Sequence, residues 1–198
     1  MKIYHNIHTR SFRILWMAEE MGLPYETVPG ELGSPALLAV NPSSTLPAFV
    51  DGDVVMTESV AVLEYLGGRY GPTPLTVGPS EPNYADYLQF MYLGEASLAT
   101  VLTAQIRNQV FAPEHQKGGW IVEDTRSAFT KRLEPVKRKL EKSPYMAGDR
   151  FTAADISVFY ALNLLEFVNL ADLLTPKLSD YRERLKSRPA FQRVVARG

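Results

Sequence analysis

The chain has 198 residues, 45% of them hydrophobic, with 22 acidic side chains against 21 basic ones and no cysteine. That length and apolar content support one large or two small domains with genuine cores, and a net charge of -1 with scattered Lys and Arg gives no electrostatic footprint for nucleic acid or anionic membrane. The lack of cysteine excludes disulfides, thiolate metal sites and any reaction whose nucleophile is the protein's own sulfur.

The N-terminal MKIYHNIHTR carries charge and histidines where a signal peptide has an apolar core, and no run of about 18 apolar residues occurs, so a soluble cytoplasmic protein is expected. KIYH predicts a short strand. SFRILWMAEEMG predicts a helix with Phe12, Leu15, Ala18 and Met21 on one stripe, Ile14 beside them, and Gly22 as the stop. PYETV resumes an extended pattern, SPALLAV has a Ser-Pro helix start, and PAFV and VVM flank DGD as the arms of a hairpin. The order is β-α-β-α-β-β. ESVAVLEYLGGRYG then predicts a helix that buries Val62, Tyr65 and Leu66 and stops near Gly67 and Gly68.

Residues 71–83 are dense in Pro, Gly and Ser and mark a domain boundary: a first domain over 1–76, a linker over 77–83 and a second domain over 84–198. From Tyr84 onward every long segment has helical periodicity, so the second domain is expected to be all-helical. FTAADISVFYALNLLEFVNL is apolar nearly all round, which predicts a central core helix, and Thr152 and Asp155 have capping-box spacing at its start. YRERLKSRPAFQRVV closes the chain as an amphipathic helix broken at Pro189.

The stretch NPSSTLPAFVDGDVVMTES, Asn41 to Ser59, carries the most chemistry. X-Pro bonds in ordered tight turns are where cis isomers collect, and if Leu46-Pro47 is cis the Leu46 N–H and C=O are left to pair with an extended peptide. Glu58-Ser59 falls at a helix start, where backbone N–H groups and the helix dipole favour a carboxylate and Glu58 suits an adjacent ammonium. Read this way, the stretch fits an α-amino-acid head group on a peptide; as a bare turn and helix cap, it carries no function.

These residues resemble the cis-proline and glutamate-serine signature of glutathione transferases. RSFRILWMAEEMGLPYE, ESVAVLEYL and PYMAGDRFTAADISVF are similar to further family segments in the same order along nearly the whole chain. The resemblance implies a thioredoxin-like α/β domain followed by an all-α domain, usually in a homodimer, with glutathione as co-substrate and no metal. By position it implies that Leu46 pairs with the cysteinyl part of glutathione, that Pro47 is the cis-proline, and that Glu58 and Ser59 clamp the γ-glutamyl end. It also implies a catalytic hydroxyl four residues before Arg13, at Thr9, with Arg10 nearby and Ser11 and Tyr4 as rivals. Where the family commonly has Gly-Lys, this chain has Ser44-Thr45, so a cation for the glycyl carboxylate is missing there; Arg10 or the helical domain would supply it.

The resemblance further implies a hydrophobic electrophile held between the domains, with Gly94, Leu98, Leu102 and Gln105 at one-turn spacing as pocket candidates. It leaves as alternatives a non-catalytic binding or regulatory protein, and a peroxidase or disulfide reductase that uses bound glutathione alone. Three other features have structural readings. His5 and His8 lack a second ligand cluster, which favours a structural role. Lys131, Arg132, Lys137, Arg138 and Lys139 form a solvated helix face, and Trp16, Trp120, Tyr87, Phe90 and Tyr92 are expected in the core or a dimer interface.

Overall fold

The sheet starts at β1 (Lys2–His5), whose Ile3 and His5 turn inward, and a computed structural model describes it together with the rest of residues 1–197. Helix α1 (Ser11–Met21) follows and ends at Gly22, whose φ of 64° is the left-handed value that glycine adopts without cost. β2 (Glu26–Pro29) runs parallel to β1. The four-residue α2 (Pro35–Leu38) has Ser34 as its cap, accepting the Leu37 N–H. β3 (Ala48–Asp51) and β4 (Val54–Met56) form the hairpin, turning at Gly52, and the sheet order is β2-β1-β3-β4. α3 (Ser59–Tyr70) buries Val62 and Leu66, while Tyr65 is half-buried and donates to Asp51 at 3.0 Å.

The chain clusters into two compact units: Met1–Thr76 together with the chain from Lys186 onward, and Val77–Leu185. The last helix, α9 (Pro189–Arg197), thus belongs with the first unit and not, as the sequence suggested, with the helical one. Its Phe191 ring sits edge-on to Trp16 and Phe12 of α1, at centroid distances of 5.1 and 5.5 Å. Arg188 forks onto both oxygens of Glu20 at 2.6 and 2.8 Å, and Arg193 and Arg197 meet the buried Glu19. Replacing Arg188 with alanine should cost about 2 kcal/mol, because a two-pronged charge-assisted pair is lost and Glu20 stays largely buried. Faster proteolysis within α9, with cleavage inside the helical unit unchanged, would show it.

The second unit contains α4 (Tyr84–Tyr92), a π-helical segment (Leu93–Ala99), α5 (Thr100–Phe111), α6 (Trp120–Leu140), α7 (Ala153–Phe167) and α8 (Pro176–Lys186). The π-helical segment interrupts what the sequence reads as one continuous helix. Ser157 of α7 donates to the Met91 carbonyl at 2.7 Å, and a Cβ on Gly94 would come within 2.4 Å of that same hydroxyl. A side chain pressed into the helical ladder at a glycine is a recognised cause of such local widening.

α7 is the core helix: its residues from Ala153 to Leu162 are all buried. It opens with the expected Thr152/Asp155 capping box. The basic residues of α6 are engaged as a surface face, Lys139 with Asp86 and Lys137 with Glu134. Trp16, Tyr87 and Phe90 are buried as expected, whereas Trp120 is 73% exposed at the start of α6 and Tyr92 is also exposed. No helix among the described residues is long and apolar enough to cross a membrane.

Candidate functional site

Strand register alone gathers most of the predicted residues. β1 and β3 are antiparallel with Tyr4 opposite Ala48, so the end of β1, from which the chain runs on to Thr9, lies beside the start of β3, which Leu46-Pro47 precedes. β4 is antiparallel to β3 with Met56 opposite Phe49, which brings Glu58-Ser59 to the same end of the sheet. Three segments that are distant in sequence therefore share one edge of the first unit.

At that edge Leu46-Pro47 is cis. No hydrogen bond within the described chain uses the Leu46 N–H or C=O, so both are available to an extended ligand. The loop leading to Leu46 is fixed by Asn41, only 2% exposed, which donates to the Thr45 carbonyl at 2.8 Å and accepts the Ser43 N–H at 3.1 Å. Gly30 is the other support. Its N–H donates to the His5 carbonyl at 2.7 Å, and a Cβ there would stand 2.6 Å from Leu46 Cδ1. Only glycine lets Leu46 close down on β2 in this way.

Glu58 is the exposed N-cap residue of α3 and makes no capping bond with its side chain, so no side chain caps the first-turn amides of that helix. Ser59, at the first helical position, accepts from Arg13 Nη1 at 3.1 Å, leaving its own hydroxyl hydrogen to donate. Arg13 is fully buried and comes from α1. Helix dipole, first-turn amides and a buried guanidinium beneath Ser59 all favour an anion at this position.

The hydroxyl candidates separate clearly. Thr9 is half-buried, and its Oγ1 donates to the Asn6 carbonyl at 2.6 Å and lies 2.6 Å from Ser11 Oγ. Ser11 has 0% exposure, with its oxygen also 2.7 Å from His5 Nδ1. Ser11 thus lies behind Thr9 with no exposed surface of its own. Arg10 is the half-buried N-cap residue of α1 and Tyr4 lies half-buried in β1. Ser44 accepts the Gly33 N–H at 2.6 Å and Thr45 is exposed, so neither brings a cation to the edge.

Comparison with known proteins agrees with this geometry. A family profile described as "Glutathione S-transferase, N-terminal domain" matches residues 1–68, and one described as "Glutathione S-transferase, C-terminal domain" matches residues 100–196. "Glutathione S-transferase 1" of Triticum aestivum is 31% identical over 96% of this chain and 90% of its own length. The chain belongs to the glutathione S-transferase family.

Other members of the glutathione S-transferase family extend the comparison. "Glutathione S-transferase 3" of Schizosaccharomyces pombe is 31% identical over 77% of this chain and 69% of its own. Among solved structures, glutathione S-transferase III in apo form superposes with a TM-score of 0.82 at 27% identity, over 98% of this chain and 95% of that one. The fold is also that of the Phanerochaete chrysosporium transferase URE2P6, solved in complex with oxidized glutathione, at a TM-score of 0.85 and 24% identity over 99% of this chain and 94% of that one.

The four candidates for a hydrophobic pocket are placed differently from the edge residues. Gly94 packs against Ser157, Gln105 donates to the Val168 carbonyl at 2.7 Å, and Leu98 and Leu102 have no exposed surface. All four are buried within the helical unit, where the helical period that aligns them also turns them toward its core. Asn41, Gly30, Arg13 and His5 are the supporting residues that motif reading did not assign to the site. Alternation in β1 is the signal that could have marked His5 as inward-facing; nothing local marks Gly30.

Proposed function

We propose that the chain is a glutathione transferase that binds glutathione on the first unit and conjugates its sulfur to a hydrophobic electrophile. In this site Leu46 pairs through its backbone with the cysteinyl residue, beside Pro47. The γ-glutamyl carboxylate takes the first-turn amides of α3 and the Ser59 hydroxyl, and its ammonium meets Glu58. Thr45 borders the glutathione, and Thr9 donates its hydroxyl hydrogen to the sulfur.

The observation that carries this is the coincidence, at one sheet edge, of a Leu46 backbone without internal partners, an uncapped helix start over Arg13, and a half-buried hydroxyl. A free thiol has a pKa of about 8.5 and is mostly protonated at neutral pH. A hydrogen bond to a charged group is worth about 1.5–3 kcal/mol, which lowers the bound thiol's pKa by about one to two units. The N-terminus of α1 beside Thr9, and Arg10 at its cap, act in the same direction. Binding itself supplies the other part of catalysis by holding the nucleophile in place.

Calorimetric titration with reduced glutathione tests the binding half. The native chain should bind at millimolar concentration or better, and Ser59→Ala should weaken binding by about tenfold or more through loss of one charge-assisted bond. If the native chain fails to bind at millimolar glutathione, the proposal is lost.

A further inference from the structure

Three hydroxyl and imidazole groups in the first unit form a continuous line: His5 Nδ1 to Ser11 Oγ at 2.7 Å, Ser11 Oγ to Thr9 Oγ1 at 2.6 Å, and Thr9 Oγ1 to the Asn6 carbonyl at 2.6 Å. The direction of this line follows from counting hydrogens. A carbonyl only accepts, so the single hydroxyl hydrogen of Thr9 lies on Asn6 O. The short contact to Ser11 therefore uses the hydrogen of Ser11, with Thr9 accepting. Ser11 has then given its only hydrogen, so its contact with His5 requires a hydrogen on Nδ1. The order of donation is His5, Ser11, Thr9, Asn6. The inner part is dry, with Ser11 at 0% and His5 at 9% exposure.

Thr9 is the half-buried outer hydroxyl of the line, and its present acceptor is replaceable. The Asn6 carbonyl also accepts the Thr9 backbone N–H at 3.2 Å, so Thr9 can turn its hydroxyl hydrogen to a ligand without leaving that oxygen unpartnered. The bond from Ser11 to Thr9 Oγ1 meanwhile stays in place.

Resting on Thr9 as the sulfur's donor, we propose that His5 and Ser11 are positioning residues for the reaction: they form a buried donor relay that aims the Thr9 hydroxyl and strengthens it toward the glutathione thiolate. The physical reason is cooperativity. A hydroxyl that accepts a hydrogen bond is polarised into a better donor, by about 10–30% per bond, and more so in a dry, low-dielectric setting. The incoming bond also fixes the Thr9 rotamer, because an oxygen tied to buried Ser11 has one hydrogen left and a restricted arc in which to aim it. Neither His5 nor Ser11 touches the sulfur.

The experiment is a double-mutant cycle on the pKa of bound glutathione, read from the ultraviolet absorbance of the thiolate. Thr9→Val, Ser11→Ala and the pair are compared with the native chain at saturating glutathione. Ser11→Ala should raise the thiol's pKa by about half a unit, and it should add nothing in the Thr9→Val background. His5→Leu should shift it in the same direction by less, because Ser11 still donates to Thr9, and His5→Asn, whose side-chain amide places an N–H near the Nδ1 position, should restore the native value.

If Thr9→Val leaves the pKa unchanged, Thr9 is not the donor and the function proposed above fails at that residue. If Thr9→Val raises it but Ser11→Ala does not, or shifts it equally in both backgrounds, the relay is refuted while Thr9 stands. Should His5→Leu fail to fold, the Ser11→Ala and His5→Asn variants decide the question alone.

Discussion

Glutathione bound to the Thr9→Val variant will ionise about one to two pKa units higher than glutathione bound to the native chain. Valine keeps the branched shape of threonine at a half-buried position and removes the hydroxyl, with it the contacts to Ser11 and the Asn6 carbonyl as well as the proposed hydrogen bond to sulfur. The kinetic consequence has a definite sign. If, as proposed, the native site lowers the thiol's pKa, its advantage is largest below the native value and vanishes once both thiols are ionised. Conjugation by Thr9→Val should fall by about tenfold to a hundredfold near pH 6.5 and approach the native rate above about pH 9. The Michaelis constant for glutathione should change little, because Leu46 and Ser59 still hold the peptide. A uniform loss at every pH would instead point to lost positioning.

The second large effect concerns stability. Asp155 has no exposed surface and accepts four hydrogen bonds: Met146 N–H at 2.9 Å, Thr152 N–H at 2.8 Å, Thr152 Oγ1 at 3.2 Å and Tyr181 OH at 2.9 Å. It ties the start of the core helix α7 to the loop before it and to α8. Asp155→Ala removes the capping box, worth about 1 kcal/mol, and leaves buried donors on Met146 and Tyr181 without an acceptor, at about 1–3 kcal/mol each. The total, about 4 kcal/mol, should lower the thermal midpoint of the chain by about 10 °C.

The same carboxylate predicts a pH signature. Burial pushes the Asp155 carboxyl up to about 6, outweighing the donors that pull it down. In the unfolded chain it titrates at about 3.9. Since the folded value is the higher one, the folded chain binds more protons between these two limits. The stabilising effect of that proton is complete below about pH 4 and is lost as pH rises through about 6. Asp155→Asn keeps one acceptor oxygen and cannot ionise, so it should be destabilised less than the alanine variant. Its stability should also lack the decline between about pH 4 and 6 seen in the native chain. Thermal scans across that range check both statements.

The parts of the site visible in the sequence are those whose chemistry is local. A Leu-Pro before an apolar run, a Glu-Ser opening a helix and a Thr-x-x-Asp capping box each act within a few residues, so their sequence signatures coincide with their physics. Thr9 and Ser11 show the limit of that coincidence. Both are hydroxyls two positions apart, and only the path of the chain into α1 buries one and leaves the other at the surface.

Residues that act at long range were illegible for the same reason. Gly30 matters because Leu46 closes on it, and Arg13 because Ser59 arrives above it from α3. The π-helical segment needs Ser157 of α7, and the docking of α9 needs Glu19 and Glu20 of α1. Periodicity marked α9 as amphipathic, but an apolar stripe does not name the surface it covers. For the pocket candidates, one-turn spacing identified a buried stripe and said nothing of whether that stripe faces a ligand or the core.

A crystal structure of the chain with reduced glutathione tests the central claim most directly. It should show the sulfur within hydrogen-bonding distance of Thr9 Oγ1, the cysteinyl backbone paired with the N–H and C=O of Leu46, and the γ-glutamyl carboxylate on Ser59 at the start of α3. A sulfur held by Tyr4 or Arg10, or a peptide bound away from Leu46, would contradict it.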